Sequence, residues 1–352
     1  MNNYILEKAT YYYYDKLSSC EKNWYKTFLN NILNLQNVVE LNGKLFAEQI
    51  KRISRALIND RPDIFWYRGS YTITTKNDII VRIAFEFVYS ETQVISIISK
   101  IESCSLYKEI NRYMLAAKSD FEKSLCLYEC IIKNAEYEHA ALLSPNNYDY
   151  AYGIEGVLLR KRAVCTGYAK TFQYFSNKHN IICTIVTGQA NCGRHAWNLI
   201  NLYGGYYYVD ATWGDPTFVN KSDKAADYIS YDYFCITTEE LKRSHHPVFD
   251  VEMPLCLDTK YNYYRYLGLV EDSYSVESIA KHIINAKKQG KKEAVIKYSS
   301  EETYIKAVSR LFANSEVFDA LKIAQRYCGI GNSNKVSYKT DDNNLIIEIK
   351  IF

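Results

Sequence analysis

Between residues 163 and 213 the hydrophobic period of the sequence changes once, and that change constrains the fold more than any other feature of the 352-residue chain. Cys165, Ala169 and Phe172 recur at three- and four-residue steps, the spacing of one helix face. Three runs rich in β-branched and aromatic residues follow, 181–187, 195–202 and 206–213, with Gly204-Gly205 as the turn signal between the last two. A helix preceding short strands joined by tight turns predicts a helix packed on a largely antiparallel sheet, the α+β class.

The flanks carry patterns of their own. Over residues 1–60 the apolar positions Phe28, Ile32, Leu33 and Leu35, then Phe46, Ile50, Ile53 and Leu57, predict helices. Arg61-Pro62 ends that pattern, and the runs 65–74 and 79–89, separated by Lys76-Asn77-Asp78, predict a β-hairpin. Ser119 and Glu122 have capping-box spacing and predict a helix over 120–135; Thr237 and Glu240 open a second, short helix that Pro247 closes. The stretch 144–162, with Pro145, Gly153, Gly156 and Arg160-Lys161-Arg162, reads as a loop. Past residue 255 come a helix over 275–288, a strand over 293–298, a helix capped by Ser299 and Glu302, and two strands around Asp341–Asn344, an array able to bury its own core. The predicted organisation is an N-terminal helical region plus β-hairpin over 1–100, a central domain over 101–254, and a small C-terminal α/β domain over 255–352.

Composition narrows the partners. The net charge of +3 is too near balance to predict a nucleic-acid or membrane-surface protein. No window approaches the ~18–20 apolar residues of a membrane span, and no basic segment followed by an apolar one opens the chain. The expectation is a cytoplasmic protein, or a secreted one if a leader has been removed. Ten irregularly spaced cysteines predict reduced thiols rather than a disulfide framework. The 34 tyrosines, among them Tyr11–Tyr14 and Tyr206–Tyr208, are spread along the chain and predict general packing rather than a platform for sugars or bases.

The chemistry concentrates in Ala163–Ala169, Arg194–Asn198 and Tyr208–Trp213. A thiol is nucleophilic as thiolate, and a helix start favours that anion, which is where Cys165 falls. An imidazole takes its proton and a carboxylate orients the imidazole; His195 and Asp210 supply these on consecutive strands. The run Val164-Cys165-Thr166-Gly167-Tyr168-Ala169, the run His195-Ala196-Trp197-Asn198, and Val209–Trp213 followed by Asp215-Pro216 resemble the motifs of the transglutaminase-like superfamily of Cys-His-Asp enzymes. The resemblance covers roughly residues 120–220, and Arg61–Trp66 with the hairpin after it looks like the N-terminal region accompanying this domain in some bacterial proteins.

The resemblance implies a papain-like core, a nucleophile helix on an antiparallel sheet, with Cys165, His195 and Asp210 as the catalytic residues and no cofactor or metal. It implies acyl transfer through a thioester on a peptide or protein substrate. Protease or amidase chemistry is the first expectation, because no calcium loop of the Asp-x-Asp-x-Asp-Gly type is present. The alternatives are a transglutaminase or peptide ligase using an amine acceptor, and a non-catalytic peptide-binding scaffold on the same fold.

One geometric condition attaches to Asp210. A two-residue Gly204-Gly205 hairpin would pair Tyr203 with Tyr206 and leave Asp210 four residues, roughly 13 Å, from the position facing His195. A triad therefore predicts a pairing centre near Leu202-Tyr203, with side-chain parity kept. The amide of Cys165 is the natural first oxyanion donor. In relatives of this type an amide side chain often supplies the second, but here Asp149 stands there, and Tyr150, Tyr152 or a backbone amide are the substitutes. Cys192 with His195, and Cys126 with Cys130, offer only two metal ligands each. His245-His246-Pro247 reads as a surface loop, Arg160–Arg162 as a solvated turn, and Trp197 and Trp213 as either site wall or core.

Overall fold

The computed structural model describes residues 11–42, 45–190, 193–215, 229–248, 251–328 and 335–351. Pro216 and Cys192 lie outside the described residues. The chain divides into two compact units, one reaching to Asp258 and the other beginning at Thr259.

The first unit opens with helix α1 (Ser19–Leu33), strand β1 (Val38–Glu40) and helix α2 (Ala47–Asp60). The hairpin follows as β2 (Tyr67–Lys76) and β3 (Ile79–Phe87), and β1 adds to it in the order β1-β3-β2. Lys76 pairs with Ile79, so the turn is Asn77-Asp78, whose φ values of 51° and 62° suit a two-residue hairpin. Between α2 and β2 the segment 61–67 is fully interior: Arg61 and Asp63 form a buried ion pair (2.8 Å and 2.5 Å), and Ile64, Phe65, Trp66 and Tyr67 are buried beside them. This region is packed within the same unit as the central domain.

Helices α3 (Glu91–Ser103), α4 (Ser105–Ala116) and α5 (Asp120–Asn134) lead to the core. At the start of α5, Ser119 Oγ accepts the Glu122 amide at 3.1 Å, but Glu122 accepts from the Lys118 amide (2.7 Å) and does not close a reciprocal box. The expected loop over 144–162 is wound instead into short turns, 3₁₀ over Pro145–Asn147 and Asp149–Tyr152 and a π-turn over Gly156–Arg160. Helix α6 (Cys165–Lys178) then runs through the middle, with 165 and 167–177 all buried.

Its sheet is antiparallel throughout: β4 (Cys183–Ala190), β5 (Gly193–Leu202), β6 (Gly205–Val209), β7 (Phe234–Ile236) and β8 (His245–Pro247), in the order β8-β4-β5-β6-β7. Helix α7 (Thr238–Lys242) separates the last two and carries the full capping box expected of Thr237 and Glu240. Pro247 lies inside β8 rather than closing that helix, and His245-His246-Pro247 is an edge strand rather than a surface loop. This helix-on-antiparallel-sheet core is the expected α+β arrangement.

The second unit has the sheet β9 (Val270–Glu271), β10 (Glu293–Tyr298), β11 (Tyr338–Asp341) and β12 (Ile346–Lys350), ordered β9-β10-β12-β11. Helices α8 (Val276–Lys288), α9 (Glu301–Val308) and α10 (Val317–Cys328) accompany it. Ile279, Ile283, Ile296, Leu311, Ile347 and Ile349 join in one core. The cap of α9 is Ser300, not Ser299, and α10 was not anticipated from the sequence.

Candidate active site

The hairpin between β5 and β6 sets the site's geometry. Leu202 pairs with Gly205, so the turn is Tyr203-Gly204, with φ of 53° and 94°. The pairing centre therefore lies one ladder step from the Gly-Gly alternative and one step short of the expected Leu202-Tyr203 position. Continued regularly, the register would put Asp210 opposite Trp197, two residues or roughly 7 Å from the place facing His195, on the same face. The remaining distance closes because β6 stops at Val209 instead of running to Trp213. Asp210 Oδ1 accepts the amides of Thr212 (2.9 Å) and Trp213 (3.2 Å), which bends the chain and turns the carboxylate along the sheet. Its Oδ2 then meets His195 Nε2 at 2.6 Å.

With Nε2 engaged by Asp210, Nδ1 is the His195 nitrogen left for the thiol. Cys165, the first residue of α6, interacts with the His195 side chain and with the Ala196 backbone amide. Burial, the largest influence, pushes the Cys165 thiol up, but His195 and the Ala196 amide more than offset it, and the thiol titrates below its ordinary value. Burial disfavours the imidazolium of His195, yet the Asp210 carboxylate and then Cys165 raise its pKa well above the usual range. Burial likewise opposes ionisation of Asp210, and the imidazoles of His195 and His245 override it, holding the acid below the usual carboxylate range. The group as a whole favours thiolate beside imidazolium beside carboxylate.

Other motif residues hold this group in place. Asn198 Nδ2 donates to the Ala169 carbonyl at 3.0 Å and ties β5 to α6. The Tyr168 hydroxyl bonds the Asp215 carboxylate, anchoring the turn after Asp210 to the same helix. A Cβ on Gly167 would lie 2.4 Å from the Ala151 carbonyl oxygen, so only glycine lets the helix start approach the 149–153 turn.

Trp197 is buried and stacks on His195 (5.9 Å, 26°), while Trp213 is half-buried at 6.1 Å. Tyr150 donates to Glu138 (2.9 Å) and Tyr152 to the Ala141 carbonyl (3.2 Å), so both hydroxyls proposed as oxyanion donors already spend their hydrogen elsewhere. Asp149 faces Arg68, whose guanidinium bonds its carbonyl and lies 3.7 Å from its carboxylate. Arg160, Lys161 and Arg162 are exposed, and Arg162 pairs with Glu136 at 3.0 Å, as suits a solvated turn.

The residue that sequence reasoning missed is His245. It is completely buried and its Nε2 lies 3.1 Å from Asp210 Oδ2. Only its position after a helix and two residues before a proline was visible in the sequence, which gave no hint of the strand. Among the described residues, His195, Asp210 and His245 are the one group of three potential metal ligands within reach of one another. Their 2.6 Å and 3.1 Å separations are hydrogen bonds, shorter than the roughly 3.3 Å between ligand atoms of a tetrahedral zinc site. A cavity of about 770 Å³ opens between Tyr89, Gln93 and Lys100 on one side and Asp149, Glu155 and Arg160 on the other, and none of Cys165, His195 or Asp210 lines it.

Residues 108–211 match the transglutaminase-like superfamily. The chain is 26% identical to kyphoscoliosis peptidase of Mus musculus over 143 residues, 37% of this chain and 21% of that protein. It is 29% identical to kyphoscoliosis peptidase of Homo sapiens over 110 residues, 28% of this chain and 16% of that protein. The chain thus spans about a fifth or less of the length of these curated relatives. A solved crystal structure of a TGase superposes with a TM-score of 0.31 at 14% identity, covering 54% of this chain and 53% of that one.

Proposed function

We propose, from the match of residues 108–211 to the transglutaminase-like superfamily, that this chain is a cysteine-dependent acyl-transfer enzyme acting on peptide or side-chain amide bonds. In this reading Cys165 is the nucleophile, His195 the general base and then acid, and Asp210 the group that orients His195. The thiolate attacks the amide carbonyl carbon and forms the C–S bond. His195 delivers its proton to the nitrogen as the C–N bond breaks, and the amine departs. Water, deprotonated by His195, then attacks the thioester and releases acid and thiolate. The Cys165 amide at the start of α6 serves as the first oxyanion donor.

The observation that carries the reading is the 2.6 Å contact from Asp210 to His195 Nε2, which leaves Nδ1 for a thiol at a helix start. Hydrolysis is favoured over transfer to an amine, and the two curated relatives bear the name peptidase. The test combines thiol labelling with product analysis. Iodoacetamide should modify Cys165 preferentially near pH 7, and Cys165→Ala should lose that label and all turnover of a peptide library. Mass spectrometry of the products, with and without an added primary amine, separates acid from new amide. Equal labelling of Cys165 and the buried, ordinary thiols would defeat the proposal, and so would undiminished turnover by Cys165→Ala.

A further inference from the structure

Strand β8 places His245 opposite Ala190 of β4 and turns its side chain into the interior, where it has no exposed surface. The ring lies among Trp213 (4.6 Å), Trp197 (5.0 Å) and Tyr233 (5.3 Å), surroundings that a phenylalanine would fill at less cost than an imidazole. What the imidazole adds is two polar atoms, both used. Nδ1 meets Ser244 Oγ at 2.8 Å, and Nε2 meets Asp210 Oδ2 at 3.1 Å. An ionised carboxylate oxygen only accepts, so Nε2 of His245 carries a hydrogen and donates it. Asp210 therefore receives four donors: the Thr212 and Trp213 amides on Oδ1, and two imidazoles on Oδ2.

We propose that His245 is a positioning residue, whose Nε2–H locks the rotation of the Asp210 carboxylate so that Oδ2 stays aimed at His195 Nε2 and Nδ1 of His195 stays aimed at Cys165. The inference rests on the reading of these three residues as one catalytic group. The carboxylate is planar, so a twist about Cβ–Cγ tilts both oxygens together; the Thr212 and Trp213 amides oppose that twist at Oδ1, and His245 opposes it at Oδ2, the oxygen that meets His195. Among the described residues, the titratable groups shown against His245 are Asp210, His195 and Tyr233; Ser244 Oγ meets its Nδ1, and the indoles of Trp213 and Trp197 lie against its ring.

The experiment measures Cys165 alkylation and the thiolate ultraviolet absorbance against pH in wild type, His245→Phe and His245→Gln. His245→Phe keeps the ring and removes the donor. It should slow alkylation near pH 7 by about tenfold and raise the midpoint of thiolate formation by about one unit, the scale of a lost charge-assisted bond. His245→Gln, which retains an N–H donor, should recover most of the rate. A His245→Phe midpoint equal to wild type overturns the inference, as does a Gln variant no better than Phe when both show wild-type circular dichroism. If neither variant folds, nitrogen-15 spectra of the wild-type imidazoles decide: a protonated, hydrogen-bonded His245 Nε2 supports the role and an unprotonated one overturns it. A wild-type Cys165 that titrates like a free thiol defeats the catalytic reading itself. A shifted wild-type thiol that His245→Phe leaves unmoved defeats only the role of His245.

Discussion

A thiol whose protonation is set by one imidazole, itself set by one carboxylate, has a pH dependence whose sign follows from the chain of contacts. Cys165 is lowered, so thiolate persists below the pH at which a free thiol, near 8.5, would ionise. His195 is raised, so its imidazolium persists above the ordinary value near 6.5. Alkylation and turnover should therefore rise as pH passes upward through the lowered thiol value, hold across a plateau, and turnover should fall once His195 loses its proton. A rate profile with a single midpoint at the free-thiol value would contradict this. Asp210→Asn keeps the shape of the side chain but removes its charge and one acceptor. Turnover should drop by about 10²- to 10⁴-fold, with the acid limb of the profile moved upward, as measured by kcat/KM across pH.

The element that decides the site is the β5–β6 hairpin, together with the early end of β6. Tyr203-Gly204 forms the turn with both residues at positive φ, and a β-branched residue at Gly204 meets a backbone conformation that L residues rarely adopt. Gly204→Val should cost about 1–2 kcal/mol, read as a lower urea midpoint, and should slow Cys165 alkylation if the register slips toward Gly-Gly pairing. At the other end of the site, Gly167→Ala would drive a Cβ to 2.4 Å from the Ala151 oxygen and 2.8 Å from the Ala163 Cβ. Backbone on one side and a packed turn on the other leave nothing soft to yield. The expected loss is about 1–3 kcal/mol, with a loss of Cys165 reactivity larger than the loss of folded protein at the same temperature. Both variants test why these glycines sit there, a question the spacing of the motifs raises and only the neighbouring backbone answers.

At the scale of the whole molecule, a buried carboxylate away from the site sets part of the stability. Glu155 is raised to about 7 by burial, opposed by Arg68 and by the Tyr89 hydroxyl that bonds it at 3.0 Å. Above its ordinary range and below pH 7 the folded chain keeps a proton that the unfolded chain has released, so this group's contribution falls as pH rises and levels off above 7. Glu155→Gln should gain on wild type by about 1–3 kcal/mol between about pH 5 and about pH 8, seen in denaturant titrations at the two values. The unit beginning at Thr259 has its own four-stranded sheet and buried core, and residues 259–352 expressed alone should unfold cooperatively. The sequence by itself determined the helix start at Cys165, the strand bearing His195, the Asn77-Asp78 turn and the α+β class, because each rests on local period, capping or turn chemistry. Tertiary structure alone decided that β6 stops at Val209, that Asn198 and Tyr168 serve as ties to helix and turn, and that His245 comes to Asp210. These contacts join residues 29 to 47 positions apart, or depend on which backbone lies opposite, and no local pattern encodes a partner that the chain meets only after it has closed its sheet.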